Sequence, residues 1–417
     1  MLLAYTLALP LIFLAAFPGW IVKMIKRGGL GTRLGERLAI YSSPKSAEPN
    51  RAVHFHAISV GEAMLALKLI RAWRAQHPDQ AFVLATGTAT GHAVASAAGI
   101  PGLRVTYSPL DFPFMVARYL KRFQPSQIVL IEAEVWPHFM RACHQRAIPV
   151  SLANARMSPR SARRMTRFAK HLRPFYSLLA NVGIQQPEDR EIWLNLGVAP
   201  ANIHLTGSVK FDPGSGTLPA KHPEFQHILD TFGPSRPVVL AASTHAGEDA
   251  PIATAIRTAA PHALPVIVPR HAERRSEVKS ALEQAGFSVT LRSSFTPQTQ
   301  PGDILVIDTT GELRDWTAHA NVVIIGKSFL STGGQNPCEA ILARVPVIFG
   351  PHMENFEPLA TRLVETHAAI RTTGTADLAT AIQSALDPET AGKQTTNATA
   401  ILTPHRGATT KTLELLS

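Results

Sequence analysis

Hydrophobic residues in this chain fall mostly in short continuous runs rather than in strict alternation with polar ones. Each run is rich in Val, Ile and Leu: AVHFHAI, AFVLAT, QIVLIEAE, IPVSLAN and NVGIQ in the first half, then PVVLAAS, LPVIVP, FSVTL, DILVID, NVVIIG and VPVIFG. Apolar runs of about four to eight residues, separated by stretches long enough for helices, are typical of parallel strands covered on both faces. The pattern therefore predicts an α/β protein with two doubly wound, Rossmann-like domains.

A stretch rich in proline and glycine separates the two halves. It contains FDPGSGTLPAKHPEF and GPSRP, a composition that indicates a linker over residues 207–236. The predicted domains then cover residues 28–206 and 237–417, which agrees with a chain of 417 residues being too long for one ordinary core. Ligands of such sheets bind at the carboxyl ends of the strands, so we expect the two domains to face a cleft lined by strand-end loops.

The amino terminus carries a long uncharged stretch from Leu2 to Val22, close to the length that a helix needs to cross a bilayer. Basic residues follow this stretch and do not precede it, which disfavours a cleaved signal peptide and predicts that the rest of the chain is cytoplasmic. Residues 1–27 are thus predicted to form a single-pass membrane anchor helix with a basic flank. Pro10 and Pro18 leave a second possibility, a helix that lies at the membrane interface.

Charge and composition narrow the classes of partner. Hydrophobic residues make up 45% and charged residues 17% of the chain, which excludes a disordered protein. The formal net charge of +11 favours anionic partners such as phosphates or acidic lipids. We expect no nucleic-acid partner, because no zinc-ligand spacing or RNA-binding signature accompanies that charge. Cys143 and Cys338 are far apart in sequence, as expected in a reducing compartment.

Polar motifs follow the predicted strands of the first half: HAISVGE with Glu62, LIEAEVWPHF with Glu132 and Glu134, SLANARMSPRS, and TGSVKFD with Lys210. Glu62 falls in the first turn of a predicted helix, where the helix dipole favours a carboxylate, but its place at a strand-to-helix junction also suits a general base. Glu132 and Glu134 would point the same way if their strand continued through them. Solvated loop acids are the alternative for this pair.

The second half has corresponding motifs: AASTHAGE, VPRH, DTTGEL and STGGQNPCEA. Arg270 follows a buried strand and suits bidentate binding of a phosphate. In the last motif two glycines would let the backbone approach a ligand, Asn336 is a candidate N-cap, and Pro337 suits the first helical position. Such a helix start can bind an anion. Asn336 and Glu339 also have the spacing of a capping box, and both interpretations stay open.

Taken in order, these motifs resemble those of the 3-deoxy-D-manno-octulosonic acid (Kdo) transferases of lipopolysaccharide biosynthesis. The resemblance extends from the amino-terminal helix through HAISVGE, EAEVWP, NARMSPRS, GSVKFD, AASTHAGE, VPRH and TGEL to GGQNPCEAILARVPVIFGPHMENF, which is most of the chain. It implies a GT-B glycosyltransferase fold without a metal cofactor. It also implies transfer of Kdo from CMP-Kdo to the lipid A precursor (lipid IVA) at the cytoplasmic face of the inner membrane.

The same resemblance implies roles for individual residues. Glu62 matches the catalytic base, or proton acceptor, and Glu132 and Lys210 match transition-state stabilisers. The implied contacts to CMP are Pro269, Arg270, Thr310, Gly311, Glu312, Asn336, Pro337, Cys338 and Glu339. Acidic lipids of the inner membrane are implied partners, and the basic residues Arg160, Arg163 and Arg164 would face them or form a plain solvated surface.

Two other functions share parts of this pattern. One is a different GT-B sugar-nucleotide enzyme, such as a UDP-sugar transferase or epimerase. The other is a membrane-tethered protein that binds anionic ligands without catalysis. A dinucleotide-dependent oxidoreductase fits less well, because no G-x-G-x-x-G motif follows the first predicted strand of either half.

Overall fold

The computed structural model describes residues 2–26, 33–42, 44, 48–212 and 219–417. These residues form two compact units, Met1–Gly214 with His405–Ser417 (unit 1) and Ser215–Pro404 (unit 2). Each unit is built on a seven-stranded parallel sheet with helices between its strands. The last residue of the predicted anchor and basic flank, residue 27, the following residues 28–32, and part of the predicted linker, 213–218, lie outside the described residues.

Unit 1 has the strand order β3-β2-β1-β4-β5-β6-β7. Its strands are β1 (Val53–Ala57), β2 (Phe82–Thr86), β3 (Leu103–Tyr107), β4 (Gln127–Ile131), β5 (Val150–Ala155), β6 (Asn181–Ile184) and β7 (Ile203–Leu205). Its helices, apart from one at the carboxyl terminus, are α1 (Leu2–Lys26), α2 (Leu34–Arg37), α3 (Val60–Gln76), α4 (Ala89–Ser96), α5 (Pro113–Phe123), α6 (Pro137–His144), α7 (Pro159–Arg167), α8 (Ala169–Tyr176) and α9 (Arg190–Asn195).

Unit 2 has the strand order β10-β11-β9-β8-β12-β13-β14. Its strands are β8 (Val238–Thr244), β9 (Leu264–Pro269), β10 (Val289–Leu291), β11 (Ile304–Val306), β12 (Val322–Ile325), β13 (Val347–Phe349) and β14 (Ile370–Arg371). Its helices are α10 (Pro223–Thr231), α11 (Asp249–Ala259), α12 (Arg275–Gln284), α13 (Leu313–Thr317), α14 (Cys338–Leu342), α15 (Leu359–Glu365), α16 (Leu378–Leu386) and α17 (Pro388–Leu402).

Both faces of each sheet are covered, which explains why the strands are continuous apolar runs. In β2, Phe82 and Leu84 pack into one hydrophobic cluster, with Trp73 of α3. Val83 and Ala85, which alternate with them, pack into a second cluster with Phe139 of α6. Side chains of a strand alternate between the two faces, so a strand buried on both sides needs apolar residues at every position.

The domain boundaries differ from the predicted ones at both ends of the second half. The last helix, α18 (Ala408–Leu416), belongs to unit 1 and not to the predicted carboxyl-terminal domain. Its start is held by the Asp212 carboxylate, which accepts hydrogen bonds from the backbone N–H groups of Gly407 and Thr409. The predicted linker also contains a helix, α10. Composition alone showed neither the return of the chain nor this helix.

The amino-terminal segment is helical over the predicted stretch, and Pro10 and Pro18 lie inside α1. Among the helices of the described residues, none is long and apolar enough to cross a membrane. The structure therefore does not support the predicted single-pass anchor. One side of α1 contacts the rest of unit 1: the Tyr5 hydroxyl donates to Asp111 Oδ2 over 3.0 Å, and Thr6 Oγ1 lies 3.2 Å from His138 Nε2.

Near the middle of each sheet, two neighbouring strands are followed by connections that run in opposite directions, β1 and β4 in unit 1 and β8 and β12 in unit 2. The loops that follow the two strands at such a point diverge, which leaves a crevice at their carboxyl ends. Open α/β sheets bind their ligands in this crevice. These two positions, called here the first and second switch points, are where ligand-binding residues are expected.

Candidate functional site

Glu62 lies at the first switch point, where β1 leads into α3. Ser59 is the N-cap of α3, and its hydroxyl accepts from the Glu62 N–H over 3.2 Å and donates to Glu62 Oε1 over 2.7 Å. Glu62 Oε2 also accepts from the Ile58 N–H over 2.8 Å. This reciprocal arrangement is a variant of the capping box, in which the Ile58 N–H takes the place of the N–H of the N-cap residue. A carboxylate has acceptor positions beyond the two that these bonds use, so Glu62 can still meet a ligand proton.

Glu132 lies across the first switch point, directly after β4. The strand ends at Ile131, and Glu132 has the left-handed φ of 63°, which is uncommon for a residue other than glycine. Its N–H donates to the Ala153 carbonyl over 3.0 Å. The strand therefore does not continue through Glu132 and Glu134, contrary to the assumption behind their predicted common direction. Backbone strain of this kind is concentrated at functional sites.

The acidic groups at this point influence one another. Burial and the nearby Glu62 charge raise the pKa of Glu132, while Arg156 and Lys210 oppose this shift. Lys210 belongs to a segment that is held in place by neighbours: the Val209 N–H donates to Asn154 Oδ1 over 2.9 Å, and Lys68 Nζ donates to the Val209 carbonyl over 2.8 Å. The structure thus brings Glu62, Glu132 and Lys210 together in unit 1.

Glu134 was recognised in the sequence without an assigned role. Burial, and then the charge of Glu62, raise its pKa to about 7, although Trp136 Nε1 donates to its carboxylate over 3.1 Å. The residue lines a cavity of about 270 Å³ together with Arg37, His56, Ile58, Gly87, Ser108, Pro109, Leu110, Asp111, Trp136 and Phe139. Sequence reasoning missed this cavity, because its lining comes from loops after several separate strands.

In unit 2, Arg270 follows β9, whose last residue is the buried Pro269. The Arg270 N–H donates to the Thr244 carbonyl of β8 over 3.0 Å, and its side chain is exposed. The guanidinium acts on Glu339, whose pKa is raised by burial and lowered in part by Arg314 and Arg270. Arg270 and Glu339, which were predicted to contact the same ligand, therefore lie in one region of unit 2.

The helix start at Asn336 differs from its prediction. α14 begins at Cys338 with Pro337 as its N-cap, and the Asn336 Oδ1 atom accepts from the Cys338 N–H over 3.0 Å. The N-cap Pro337 has no capping side chain, and among the described hydrogen bonds Glu339 makes no bond back to the helix start, so the capping box of Asn336 with Glu339 is not formed. Because α14 has only five residues, few peptide dipoles are aligned in it. The helix start is therefore weaker as an anion site than the sequence suggested.

The glycine pair before this helix serves the protein's own packing. Gly333 and Gly334 are buried and have φ values of 122° and 67°. The Gly333 N–H donates to Glu354 Oε2 over 2.6 Å, and a Cβ at Gly334 would lie 2.4 Å from Met353 Sδ. The glycines allow two loops of unit 2 to approach each other closely. Their neighbours are therefore residues of the protein, where the sequence analysis expected a ligand.

The TGEL motif forms a tight turn before α13. Gly311 has a φ of 91°, and Thr310 and Gly311 are exposed. The Glu312 carboxylate, by contrast, accepts from Thr309 Oγ1 over 2.7 Å and from Trp316 Nε1 over 3.0 Å. Glu312 thus fixes the shape of the turn, which presents Thr310 and Gly311 to solvent.

Glu248 organises the second switch point, a role that sequence reasoning did not assign. It is 0% exposed, and its carboxylate accepts from the backbone N–H groups of His245, Lys327 and Phe329 over 2.9, 2.7 and 3.2 Å. These residues follow β8 and β12, so one buried side chain ties together both loops of the crevice. The Gly-Glu pair in HAGE, which also occurs in SVGE, was the available signal.

Metal binding has no structural support within the described part of the chain, where no group of three or more His, Cys, Asp or Glu side chains could hold an ion. The expectation that no metal is needed stays a prediction.

The fold is of the two-domain GT-B type. The solved structure of a glycotransferase of kitacinnamycin superposes with a TM-score of 0.50 and 14% identity, covering 89% of this chain and 99% of that one. At this level of identity the similarity shows the fold alone.

Sequence comparison gives the family. The model of the family described as 3-deoxy-D-manno-octulosonic-acid transferase (kdotransferase) matches residues 32–213. The 3-deoxy-D-manno-octulosonic acid transferase of Bordetella pertussis is 35% identical, over 99% of this chain and 98% of its own length. The protein of that name from Haemophilus influenzae is 30% identical, over 92% and 90%. The chain belongs to the 3-deoxy-D-manno-octulosonic acid transferase family.

Proposed function

We propose that the protein is an inverting glycosyltransferase that moves Kdo from CMP-Kdo to the lipid A precursor in lipopolysaccharide biosynthesis. The observation that carries the proposal is the meeting of Glu62, Glu132 and Lys210 at the first switch point, in a chain whose full-length relatives bear the name of this transferase. An acceptor hydroxyl attacks the anomeric carbon of Kdo and forms the new C–O bond. The bond between that carbon and the phosphate oxygen breaks, and its electron pair leaves with CMP.

In this reaction Glu62 accepts the proton of the attacking hydroxyl. Its capping box holds the carboxylate in a fixed position, so little reorganisation is needed when the acceptor binds. Lys210 and Glu132 stabilise charge that develops around the anomeric carbon, where preorganised groups contribute most in a site that excludes water. The rise in the pKa of Glu132 reflects such a partly buried setting.

The donor binds unit 2 through the residues that match the family's nucleotide contacts. Arg270 is exposed and follows the strand next to β8, which suits a contact with the phosphate of CMP. Thr310 and Gly311 are exposed in their turn and are available to the nucleoside. Pro269, Glu312, Pro337 and Cys338 shape the site, while Asn336 and Glu339 lie at its rim. In this proposal Arg270 takes the leaving phosphate's charge without a metal ion.

The acceptor is membrane-bound, and we propose that α1 lies on the cytoplasmic surface of the inner membrane. Four leucines spaced three or four residues apart are largely exposed and form one stripe along α1: Leu3, Leu7, Leu11 and Leu14. Such a stripe suits the boundary between headgroups and acyl chains. Phe13 packs instead against Phe112 of unit 1, with their ring centroids 5.8 Å apart. Leu7→Glu together with Leu11→Glu should reduce binding to anionic vesicles, whereas unchanged binding would exclude this surface.

Turnover with a panel of donors tests the function. The purified full-length protein is incubated with lipid A precursor in detergent and with CMP-Kdo or UDP-sugars, and the products are weighed by mass spectrometry. We expect a mass increase of one or more Kdo residues with CMP-Kdo alone. Turnover of a UDP-sugar would indicate a different enzyme of the same fold, and binding without turnover of any donor would indicate an anion-binding protein.

A further inference from the structure

The second switch point holds a lysine that the motif analysis did not single out. Lys327 is the second residue after β12, and its loop meets the loop after β8 at the reversal of strand order. It has the left-handed φ of 54°, which costs a residue other than glycine on the order of 1 kcal/mol. A lysine in this conformation needs a reason, because glycine or asparagine would adopt it more easily.

The backbone of Lys327 is fixed on both sides. Its N–H donates to the buried Glu248 carboxylate over 2.7 Å, and its carbonyl accepts from the Gly334 N–H over 3.0 Å. Within the described ranges, no carboxylate forms an ion pair with its ammonium group, and the neighbouring Glu248 bonds to its backbone N–H instead. Both Glu248 oxygens are instead used by backbone N–H groups, so the loop is held rigidly while the lysine charge is left for another partner.

The groups beside Lys327 also suit an anion. His245 lies across the switch point, and its pKa is lowered by burial and by the charge of Lys327, which leaves a neutral imidazole. Gln335 Nε2 lies 3.3 Å from His245 Nε2 and holds the ring. A side chain at Gly333 would stand 3.6 Å from Lys327 Cε, so the lysine stem passes beside the loop that leads to Asn336. The crevice therefore combines a fixed cation with neutral hydrogen-bonding groups.

We propose that Lys327 binds an anionic oxygen of the sugar-nucleotide donor at the second switch point, and that the strained backbone directs its ammonium group into the crevice. This inference rests on the proposed function and adds a donor-binding residue to it. The shared chemistry is an oxyanion on a ligand, which in CMP-Kdo is either the phosphate or the sugar carboxylate. A short ion pair in a crevice bounded by buried strands is screened far less than one on the surface.

Calorimetric titration of the full-length protein with cytidine, CMP and CMP-Kdo tests the proposal. Lys327→Gln removes the charge and keeps most of the stem, and we expect it to weaken binding about tenfold or more. Weaker binding of both CMP and CMP-Kdo identifies the phosphate, whereas weaker binding of CMP-Kdo alone identifies the carboxylate. Cytidine, which has neither group, should bind equally well to both proteins.

Two further variants keep the result unambiguous. Lys327→Arg should retain most of the affinity because it retains the charge, and Lys279→Gln removes a surface charge of the same unit from α12 without an effect on binding. If Lys327→Gln binds CMP and CMP-Kdo as tightly as the wild type, the proposal is wrong while the transferase function stands. If the wild-type protein binds neither ligand, the proposed function fails and this inference fails with it.

Discussion

The two units repeat one junction and use it in opposite ways. In each unit the first strand of the sheet is followed by a Gly-Glu pair. Gly61-Glu62 lies in the first turn of α3, after β1, and Gly247-Glu248 lies in the loop between β8 and α11. Glu62 is half-buried, and among the described residues its carboxylate accepts hydrogen bonds only at the start of its own helix, from Ser59 and Ile58. Glu248 is fully buried, and its three backbone donors come from two different loops.

Under the proposed function, this difference separates a reactive carboxylate from a structural one at equivalent positions. A fully buried carboxylate that accepts from three backbone donors is out of reach of a substrate. The groups at the two points also differ: three acids, Glu62, Glu132 and Glu134, lie near one another at the first, although Lys210 and Arg156 act on Glu132 there. The cations Arg270 and Lys327 lie on loops at or beside the second. In the proposed mechanism, one topology provides a place for proton removal in unit 1 and a place for an anionic donor in unit 2.

The strongest test of the contrast is Glu62→Gln. Glutamine also forms capping boxes, so α3 should keep its start while the proton acceptor is lost. We expect the rate of Kdo transfer to the acceptor to fall by about 10² to 10⁴-fold, the usual contribution of a general base. The rate is measured with purified protein at saturating CMP-Kdo, and circular dichroism checks that the thermal unfolding midpoint is nearly unchanged. Near-normal transfer would remove Glu62 from the role of base.

Glu248→Gln should act on stability instead. The amide NH₂ group would face backbone N–H donors inside a buried site, so at least one of the three bonds is lost and a donor is left unpaired. The cost is about 2–4 kcal/mol in the local unfolding free energy of the β8 and β12 loops. Hydrogen exchange at the amides of His245, Lys327 and Phe329 measures it. If protection of these amides is unchanged, Glu248 does not hold the loops together.

Much of the architecture could be predicted from the sequence because buried parallel strands have a strong apolar signature. The strands missed were β3, β7 and β14, which are short or have a partly exposed start, as in the LRVTY of β3. The return of α18 to unit 1 depends on hydrogen bonds to Asp212 that join residues far apart in sequence. No local pattern carries such information.

The sequence analysis named the candidate residues that belong to a motif. It did not name those whose importance depends on the three-dimensional arrangement. Glu62 and Arg270 follow recognisable strands. Lys327 was overlooked because its significance comes from a left-handed backbone and from the reversal of strand order, neither of which is visible in a run of letters. Asn336 was predicted to be the N-cap of its helix, whereas the N-cap is the next residue, Pro337. Helix ends commonly vary by one or two residues.

A pH experiment can test the acidic side of the comparison through Glu134, whose pKa in the folded protein is about 7 against 4.5. Because the folded state holds the proton more tightly, this group stabilises unit 1 below about pH 4.5, and that contribution is lost as the pH rises through 7. Glu134→Gln imitates the protonated form. We expect its free energy of unfolding to exceed that of the wild type by about 2 kcal/mol at pH 8. At pH 4.5 the two proteins should differ little.

Denaturant unfolding at the two pH values, followed by the fluorescence of tryptophans in unit 1, gives this difference. Glu191→Gln, which removes an exposed carboxylate of α9, is the matched control and should show no such pH dependence. Equal stability of Glu134→Gln and wild type at pH 8 would mean that burial and the neighbouring acids do not disfavour the ionised form of Glu134.

The smallest expected effect comes from Ser59→Ala, and it separates capping from positioning. Ser59 and Ser158 are both N-caps whose hydroxyl accepts from a backbone N–H over 3.2 Å, at the starts of α3 and α7. Either substitution by alanine should cost about 1 kcal/mol of stability. Only Ser59 also donates to the Glu62 carboxylate, so Ser59→Ala should lower kcat several-fold while KM for CMP-Kdo stays the same, and Ser158→Ala should change neither. If both variants lose stability and both keep wild-type kcat, the cap supports the helix alone, and the fixed position of Glu62 is not what distinguishes the first switch point from the second.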